Sequence, residues 1–330
     1  MNKNKEISNL ANNELLLVML ELNKISEQHN TESNLNENII NHVLSIPGKQ
    51  LRPSMTIISS KIWNEDVDYK VIKMATAVEL LHIATLVHDD TVDFADTRRG
   101  EKTASNIWGP HIAVLVGDFL FATSAEYVCD TESIRLIKQF ASTISDLAKG
   151  ELKEIENSNN VDSKIEDYLD IIFKKTGSLF ATSSMSGALL GGAKEKDINT
   201  LYSFGKNLGL GFQIFDDILD FEGDESQLGK PVGNDLKNGI MTYPSLLARD
   251  RNKNIKKDIE ELFNLPKNKR EDAVTSVVKE IKSSGFIDES ISKASKIIEK
   301  AIEDLESVQK KNIFIDSLID LAKFSMNRDK

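Results

Sequence analysis

Two apolar stretches of this chain, residues 80–87 and 208–215, each run straight into the same pattern of acids. The first is His88-Asp89-Asp90-Thr91-Val92-Asp93 and the second Phe215-Asp216-Asp217-Ile218-Leu219-Asp220. Acids at i, i+1 and i+4 bring the first and third side chains onto nearly one face only where the backbone is α-helical. Like charges four apart oppose a helix by about a few tenths of a kcal/mol in water, and by more in apolar surroundings. One such triplet reads as a solvated acidic face. Two identical ones, both emerging from apolar helices, call for cations that offset them.

The rest of the chain repeats the helical signal. Its six prolines stand at 47, 53, 110, 231, 244 and 266, so no strong helix breaker falls between Pro110 and Pro231. Apolar residues recur at spacings of three and four, as in Ile287, Ile291, Ala294, Ile298, Ala301, Leu305 and Val308. Residues 15–25 and 316–324 share that stripe and read as scaffold. Residues 68–98 read as a long central helix and 200–222 as a second, with loops at 157–160, 223–239 and 264–269. The expected fold is all-α, one helical domain over residues 1–330, with roughly the first 30 residues peripheral.

Composition removes several function classes. Lys plus Arg number 41 against 52 Asp plus Glu, a net charge of −11, which is the wrong sign for gripping nucleic acid. The single cysteine, Cys129, excludes an internal disulfide and a cysteine-cluster zinc site, and suits a reducing compartment. Residues 1–10 are polar, unlike a signal peptide, and no run of eighteen consecutive apolar residues follows, so a cytoplasmic protein with no transmembrane segment is expected.

The acids themselves narrow the chemistry. All six candidate ligands are carboxylates, without histidine or thiol at metal-site spacing, and hard oxygen donors suit magnesium or manganese rather than zinc. Calcium loops place ligands at alternate positions around a glycine, which neither triplet does. Magnesium held by a few carboxylates is completed by phosphate oxygens, so a polyphosphorylated substrate is expected. Cations for it lie nearby in Gly48-Lys49-Gln50-Leu51-Arg52-Pro53, Arg98-Arg99-Gly100, Lys174-Lys175-Thr176-Gly177, Gly229-Lys230-Pro231 and Asp235-Leu236-Lys237. Arginine's planar fork takes phosphate oxygens two at a time. Each group alone reads as solvated surface.

Taken in order, these motifs, with His82, Gly117-Asp118, Gln213 and Gly233-Asn234-Asp235-Leu236, resemble the trans-isoprenyl diphosphate synthases of the polyprenyl synthetase family over nearly the whole chain. The resemblance implies a bundle of the isoprenoid synthase type, with a central cavity between the two aspartate-rich helices, and a homodimer. It implies that Lys49, Arg52, His82 and Arg99 bind isopentenyl diphosphate, and that Arg98, Lys175 and Lys230 bind the allylic diphosphate. Lys175, Thr176 and Gln213 would lie at the reacting carbons. Asp89, Asp90, Asp93, Asp216, Asp217 and Asp220 would hold about three magnesium ions, for which manganese can substitute. His82 also fits on geometry, since it stands seven residues before Asp89, two turns down one face. Two positions depart from the family pattern. Pro47-Gly48-Lys49-Gln50 replaces Gly-Gly-Lys-Arg, and Ile240 replaces the lysine of Gly-Lys-x-Thr, a change familiar among long-chain members.

The resemblance further implies a product tunnel below the first triplet. Ala84, Thr85 and Leu81 stand at the chain-length positions, all without the aromatic bulk of short-chain relatives, so a product beyond geranylgeranyl is expected, with a quinone side chain as one destination. Phe119, Phe121 or Tyr127 could supply a floor elsewhere, and transient membrane contact would serve release of the product. Phe212 and Phe215 could stabilise a cation, although core packing is the commoner role. A short-chain farnesyl or geranylgeranyl synthase is the nearest rival. A regulatory subunit should lack one triplet, a terpene cyclase ordinarily mixes Asn, Ser or Thr and Glu in the second, and a plain cation-binding bundle leaves the basic motifs unexplained.

Overall fold

The computed structural model of the chain describes residues 10–28, 34–46, 48–222 and 232–326. Helices α1 (Asn12–Gln28), α2 (Asn34–Ser45), α3 (Leu51–Lys61) and α4 (Tyr69–Val92) come first. A hairpin of β1 (Thr97–Arg98) and β2 (Glu101–Lys102) leads to α5 (Ala104–Trp108), α6 (Pro110–Cys129) and α7 (Ile134–Asn157). Next, α8 (Ile165–Ile172), a π-helical turn at Phe173–Gly177 and α9 (Ser178–Leu190) follow one another without a break. The remainder is α10 (Glu195–Glu222), α11 (Asn234–Asn238), α12 (Tyr243–Arg251), α13 (Lys253–Asn264), α14 (Glu271–Ser283), α15 (Phe286–Glu306) and α16 (Ile313–Met326). The fold is all-α, as expected. Among the described residues the only strands are the two short ones of the hairpin.

The chain divides into two compact units. One takes residues up to 142, 182–202 and 308–318; the other takes 143–181, 203–307 and those from 319 on. In the first, α4 is the core element. Asp68 starts it by accepting the Lys70 amide at 2.8 Å, which satisfies one of the free amides of the first turn. Val71, Met74, Ala75, Val78, Leu80, Leu81 and Ala84 are all fully buried, an apolar surface too broad for a one-sided stripe. They meet α1, α3 and α6. Each Leu, Ile or Met side chain so covered contributes about 1.5–3 kcal/mol. In the second unit the stripe Ile287, Ala294, Ile298, Ala301 and Leu305 is buried as expected and faces α12 and α14. At the start of α12 the Ser245 hydroxyl accepts the Thr242 amide at 3.0 Å and donates to the Thr242 carbonyl at 2.8 Å.

Two expectations need correction. The central helix stops at Val92 rather than 98, so Arg98 and Arg99 belong to the hairpin. Asp93, Phe94 and Ala95 do not continue it, because Phe94 turns to a left-handed φ of 53°. The stretch 223–239 holds a helix, α11, whose first amides are capped by Asp220, while Lys230 and its neighbours lie outside the described residues. By length and composition α4 and α6 are also apolar enough to cross a membrane, as core helices can be; 67% of the most apolar window of α4 and 39% of that of α6 are buried in the protein.

Candidate functional site

In the first unit the acid triplet occupies the last turn of α4. Asp89 is half-buried, Asp93 is exposed, and the Asp93 amide donates to the Asp89 carbonyl at 2.8 Å, closing the helix. Asp90 is different. One residue on from Asp89 means about 100° around the axis, which turns Asp90 inward, to 6% exposure. There Arg98 grips it with Nε at 2.8 Å and Nη2 at 2.5 Å. Two residues expected to meet metal and allylic diphosphate are thus paired with each other.

The hairpin explains how the arginines are aimed. Arg98 faces Glu101 in register, leaving Arg99-Gly100 as a two-residue loop with φ values of 52° and 85°. Positive φ at both central positions is the type I′ turn, whose twist matches paired strands. Gly100 takes its angle freely. Arg99 does so at a cost of about 1–2 kcal/mol, the kind of backbone strain found at functional sites. Beside the turn lies a cavity of about 40 Å3 lined by Ile83, Leu86, Val87, Arg98 and Arg99, among others.

Three arginines act on His82. Its imidazole is held well below the ordinary range, first by burial and then by Arg52, Arg99 and Arg98. A neutral ring can still donate one N–H to a phosphate oxygen. Arg52 is half-buried in the first turn of α3, and Lys49 is exposed just before it. Four residues read as one subsite therefore sit in one unit, three of them within electrostatic reach of one another. Ala84 and Leu81 are fully buried, and the Thr85 hydroxyl bonds back to the His82 carbonyl at 2.7 Å. Phe121 stacks against His88 at 5.3 Å, and Tyr127 lies under the Lys73 ammonium at 4.4 Å.

Gly117 matters for what it leaves out. A Cβ there would stand 2.1 Å from His88 Nε2, so glycine lets the ring lie against α6, where Nε2 meets the Val114 carbonyl at 3.1 Å and Asp118 at 3.6 Å. His88 thereby braces the turn that carries Asp89.

The second unit carries the other triplet on α10. Asp216 is exposed; Asp217 turns inward and is 7% exposed. Tyr168 donates to Asp217 Oδ2 at 2.5 Å, Gln213 Nε2 donates to Oδ1 at 2.9 Å, and Thr176 donates to Gln213 Oε1 at 2.7 Å. Burial pushes the Asp217 carboxyl up to about 7 despite those bonds, and Asp216 and Glu154 add to the rise. Asp220 accepts the Asn234 and Asp235 amides at 3.1 and 3.0 Å. Phe212 stacks on Phe180 at 5.4 Å and Phe215 is buried, as packing residues are.

The π turn sets this arrangement. Tyr168 and Thr176 are eight residues apart, which in a regular α-helix leaves them about 80° out of phase. A π turn takes up about one extra residue, which brings them within about 20° of one face. Both then reach α10. Lys175, on the same turn, pairs with Glu151 at 2.9 Å and with Glu154; burial would lower its pKa, but the two carboxylates outweigh burial and raise it. Glu79, His88, Glu151, Glu154 and Tyr168 escape a motif reading. Only Glu79 leaves a trace in sequence, as a lone acid in an apolar run.

Among the described residues no three His, Cys, Asp or Glu side chains gather closely enough to hold a metal ion unaided. Each unit instead presents outer carboxylates, Asp89 and Asp93 or Asp216, and uses its inner acid internally. One or two carboxylates from each triplet are a fitting donor set for magnesium, which keeps its remaining positions for water and phosphate.

Comparison with known proteins bears on this chemistry. The family model described as polyprenyl synthetase matches residues 33–281. Solanesyl diphosphate synthase 2, chloroplastic, of Arabidopsis thaliana is 33% identical over 291 residues, 87% of this chain and 68% of that one. The crystal structure of heptaprenyl diphosphate synthase from Staphylococcus aureus superposes with a TM-score of 0.90 at 32% identity, covering 100% of this chain and 99% of that one. A polyprenyl synthase from Caulobacter crescentus, crystallised with calcium and isoprenyl diphosphate, gives a TM-score of 0.88 at 32% identity, covering 99% and 98%.

Proposed function

This chain belongs to the polyprenyl synthetase family, and we propose that it is a trans-prenyltransferase of isoprenoid biosynthesis. It condenses isopentenyl diphosphate with an allylic diphosphate and releases diphosphate. The product is an all-trans polyprenyl diphosphate longer than geranylgeranyl, such as heptaprenyl or octaprenyl. The observation that carries this reading is the repeated triplet, in which the i+1 acid turns inward and is bonded within its own unit, Asp90 to Arg98 and Asp217 to Tyr168 and Gln213. Long-chain synthases among the relatives support the product class.

Asp89, Asp93 and Asp216 are the carboxylates that would hold magnesium, about three ions in all, with Asp90, Asp217 and Asp220 fixing the turns that carry them. When bound, the metal would neutralise charge growing on the departing diphosphate. Arg98, Lys175 and Lys230 are all assigned to that diphosphate by motif. The allylic C–O bond breaks, the alkene of the extender forms the new C–C bond, and the released diphosphate takes the proton lost from the extender. No nucleophilic side chain is needed. Thr176 and Gln213, already bonded to each other, lie beside the reacting carbons. Lys49, Arg52, His82 and Arg99 hold the extender diphosphate through preorganised donors. Ala84, Thr85 and Leu81 border the growing chain.

The two units work as one domain in this reading. A homodimer is supported by apolar side chains left exposed on α6 and α7, among them Leu115 at 67% and Ile134 at 72%. A cytoplasmic site with transient membrane contact during product release completes the proposal. The test is incubation of purified protein with magnesium, labelled isopentenyl diphosphate and allylic primers of increasing length, with chromatography of the products. Elongation of no primer refutes the activity. Asp89→Ala and Asp216→Ala should each nearly abolish turnover while the chain stays folded; full activity in either refutes the two-triplet model.

A further inference from the structure

One buried acid of the first unit has no part in the chemistry above. Glu79 is 6% exposed on a helix whose buried residues are mostly apolar, and it lies one turn before His82 on the same face of α4. A carboxylate is kept in such surroundings only where cations answer it. Two do, and they come from separate elements: Arg52 from the first turn of α3 and Arg99 from the tip of the hairpin. Burial pushes the Glu79 carboxyl above its ordinary range and the two guanidiniums pull it back. The surroundings of Gly48 bound the separation of Glu79 and Arg99. A Cβ on Gly48 would stand 3.0 Å from Arg99 Nη1 and 3.5 Å from Glu79 Oε1, so those two atoms are no more than 6.5 Å apart. Glycine at 48 lets the backbone close down on the pair.

We propose that Glu79 is the positioning residue of the extender subsite: its carboxylate holds the Arg52 and Arg99 guanidiniums at the separation that one diphosphate requires before that diphosphate arrives. The proposal rests on the function given above. Two guanidiniums converging on one anion site repel each other while it is empty and swing apart on long, flexible stems. An acid between them turns repulsion into two attractions and removes the cost of ordering both arms at binding. Arg99 is the arm best served, since its backbone is already set by the type I′ turn.

Positioning and simple countercharge predict opposite signs. If Glu79 only dilutes positive charge, the isosteric neutral variant Glu79→Gln binds the extender more tightly. If it positions, that variant binds more weakly. The expected result for Glu79→Gln is a KM for isopentenyl diphosphate raised by on the order of tenfold or more, the range for losing a group that orients a ligand-binding residue. The KM for the allylic primer should stay within about twofold, since Arg98 and Lys175 have other partners. Glu79→Asp keeps the charge but shortens the reach by one methylene, and should fall between wild type and Glu79→Gln. Circular-dichroism melting of each variant separates misfolding from weak binding. Should Glu79→Gln not fold, Glu79→Asp decides, and its unchanged extender KM overturns the proposal. An unchanged or lowered extender KM in a folded Glu79→Gln also overturns it, as does an equal rise for both substrates. Wild-type protein that elongates no primer refutes the enzyme itself, a distinct outcome from an active wild type with an indifferent Glu79→Gln.

Discussion

Replacing Gly117 with alanine adds one methyl group at a point where the protein has no room for it. The new Cβ would sit 2.1 Å from His88 Nε2 and 2.3 Å from Cδ2, about 1.3 Å short of the 3.4 Å at which ordinary contact begins. Helices α4 and α6 are packed along their length, so the ring is what must move. Moving it breaks the 3.1 Å contact with the Val114 carbonyl, worth about 0.5–1.5 kcal/mol, and disturbs the stack on Phe121. Overpacking strain adds about 1–3 kcal/mol. Gly117→Ala should therefore destabilise by about 2–4 kcal/mol, read from urea unfolding followed by circular dichroism. A double-mutant cycle makes the reasoning strict. With His88→Ala in place the collision is gone, so Gly117→Ala should then cost at least about 1 kcal/mol less than it does alone. A loss below about 0.5 kcal/mol in the single variant, or strictly additive losses in the double, would refute the assigned contact.

Other perturbations test separate parts of the molecule. Glu21 is buried, which by itself raises its pKa, but bonds from Lys24, Lys73 and Tyr69 bring it down from 4.5 to about 2. Its contribution, at most about 3 kcal/mol, is present above pH 4.5 and lost as pH falls toward 2; Glu21→Gln should flatten that acid limb of the stability curve. Tyr168→Phe removes the 2.5 Å bond to Asp217 and should lower unfolding free energy by about 1.5–3 kcal/mol, while an unchanged value would mean the bond gives no net stability. Phe94 is 86% exposed in a left-handed backbone, so Phe94→Asn should leave the melting midpoint unchanged or raise it; a clear fall would reveal packing that exposure denies. Ala84→Phe should shorten the products in the primer assay, and an unaltered distribution would place the ruler elsewhere.

The helical fold and both acid triplets were legible because each is local: a spacing of three and four, and a spacing of one and four, survive in any linear text. The inner acids were not distinguishable from the outer ones. Asp90 and Asp89 are the same residue type one position apart, and their roles part only through a rotation of about 100° that brings Asp90 to Arg98. Residues 93–98 read as helix because Asp93, Ala95 and Thr97 carry no breaker, and only Gly100 hints at the turn. The residues assigned to ligands stand in motifs, whereas the residues packed against them do not. Glu79, His88, Glu154 and Tyr168 meet partners 21 to 49 positions away or on another element, and periodicity holds no record of such meetings.

The π-helical turn at Phe173–Gly177 has a consequence for how this protein can change by inheritance. Helices α8 and α9 are one rod carrying a spare residue, so the loss of a single codon within the turn would leave a regular, well-formed helix rather than a gap. Such a deletion would act as a rotation. Everything on one side would twist by about 100° relative to the other, and Tyr168 and Thr176 could no longer both meet α10. The length of this segment is therefore locked independently of which residues fill it.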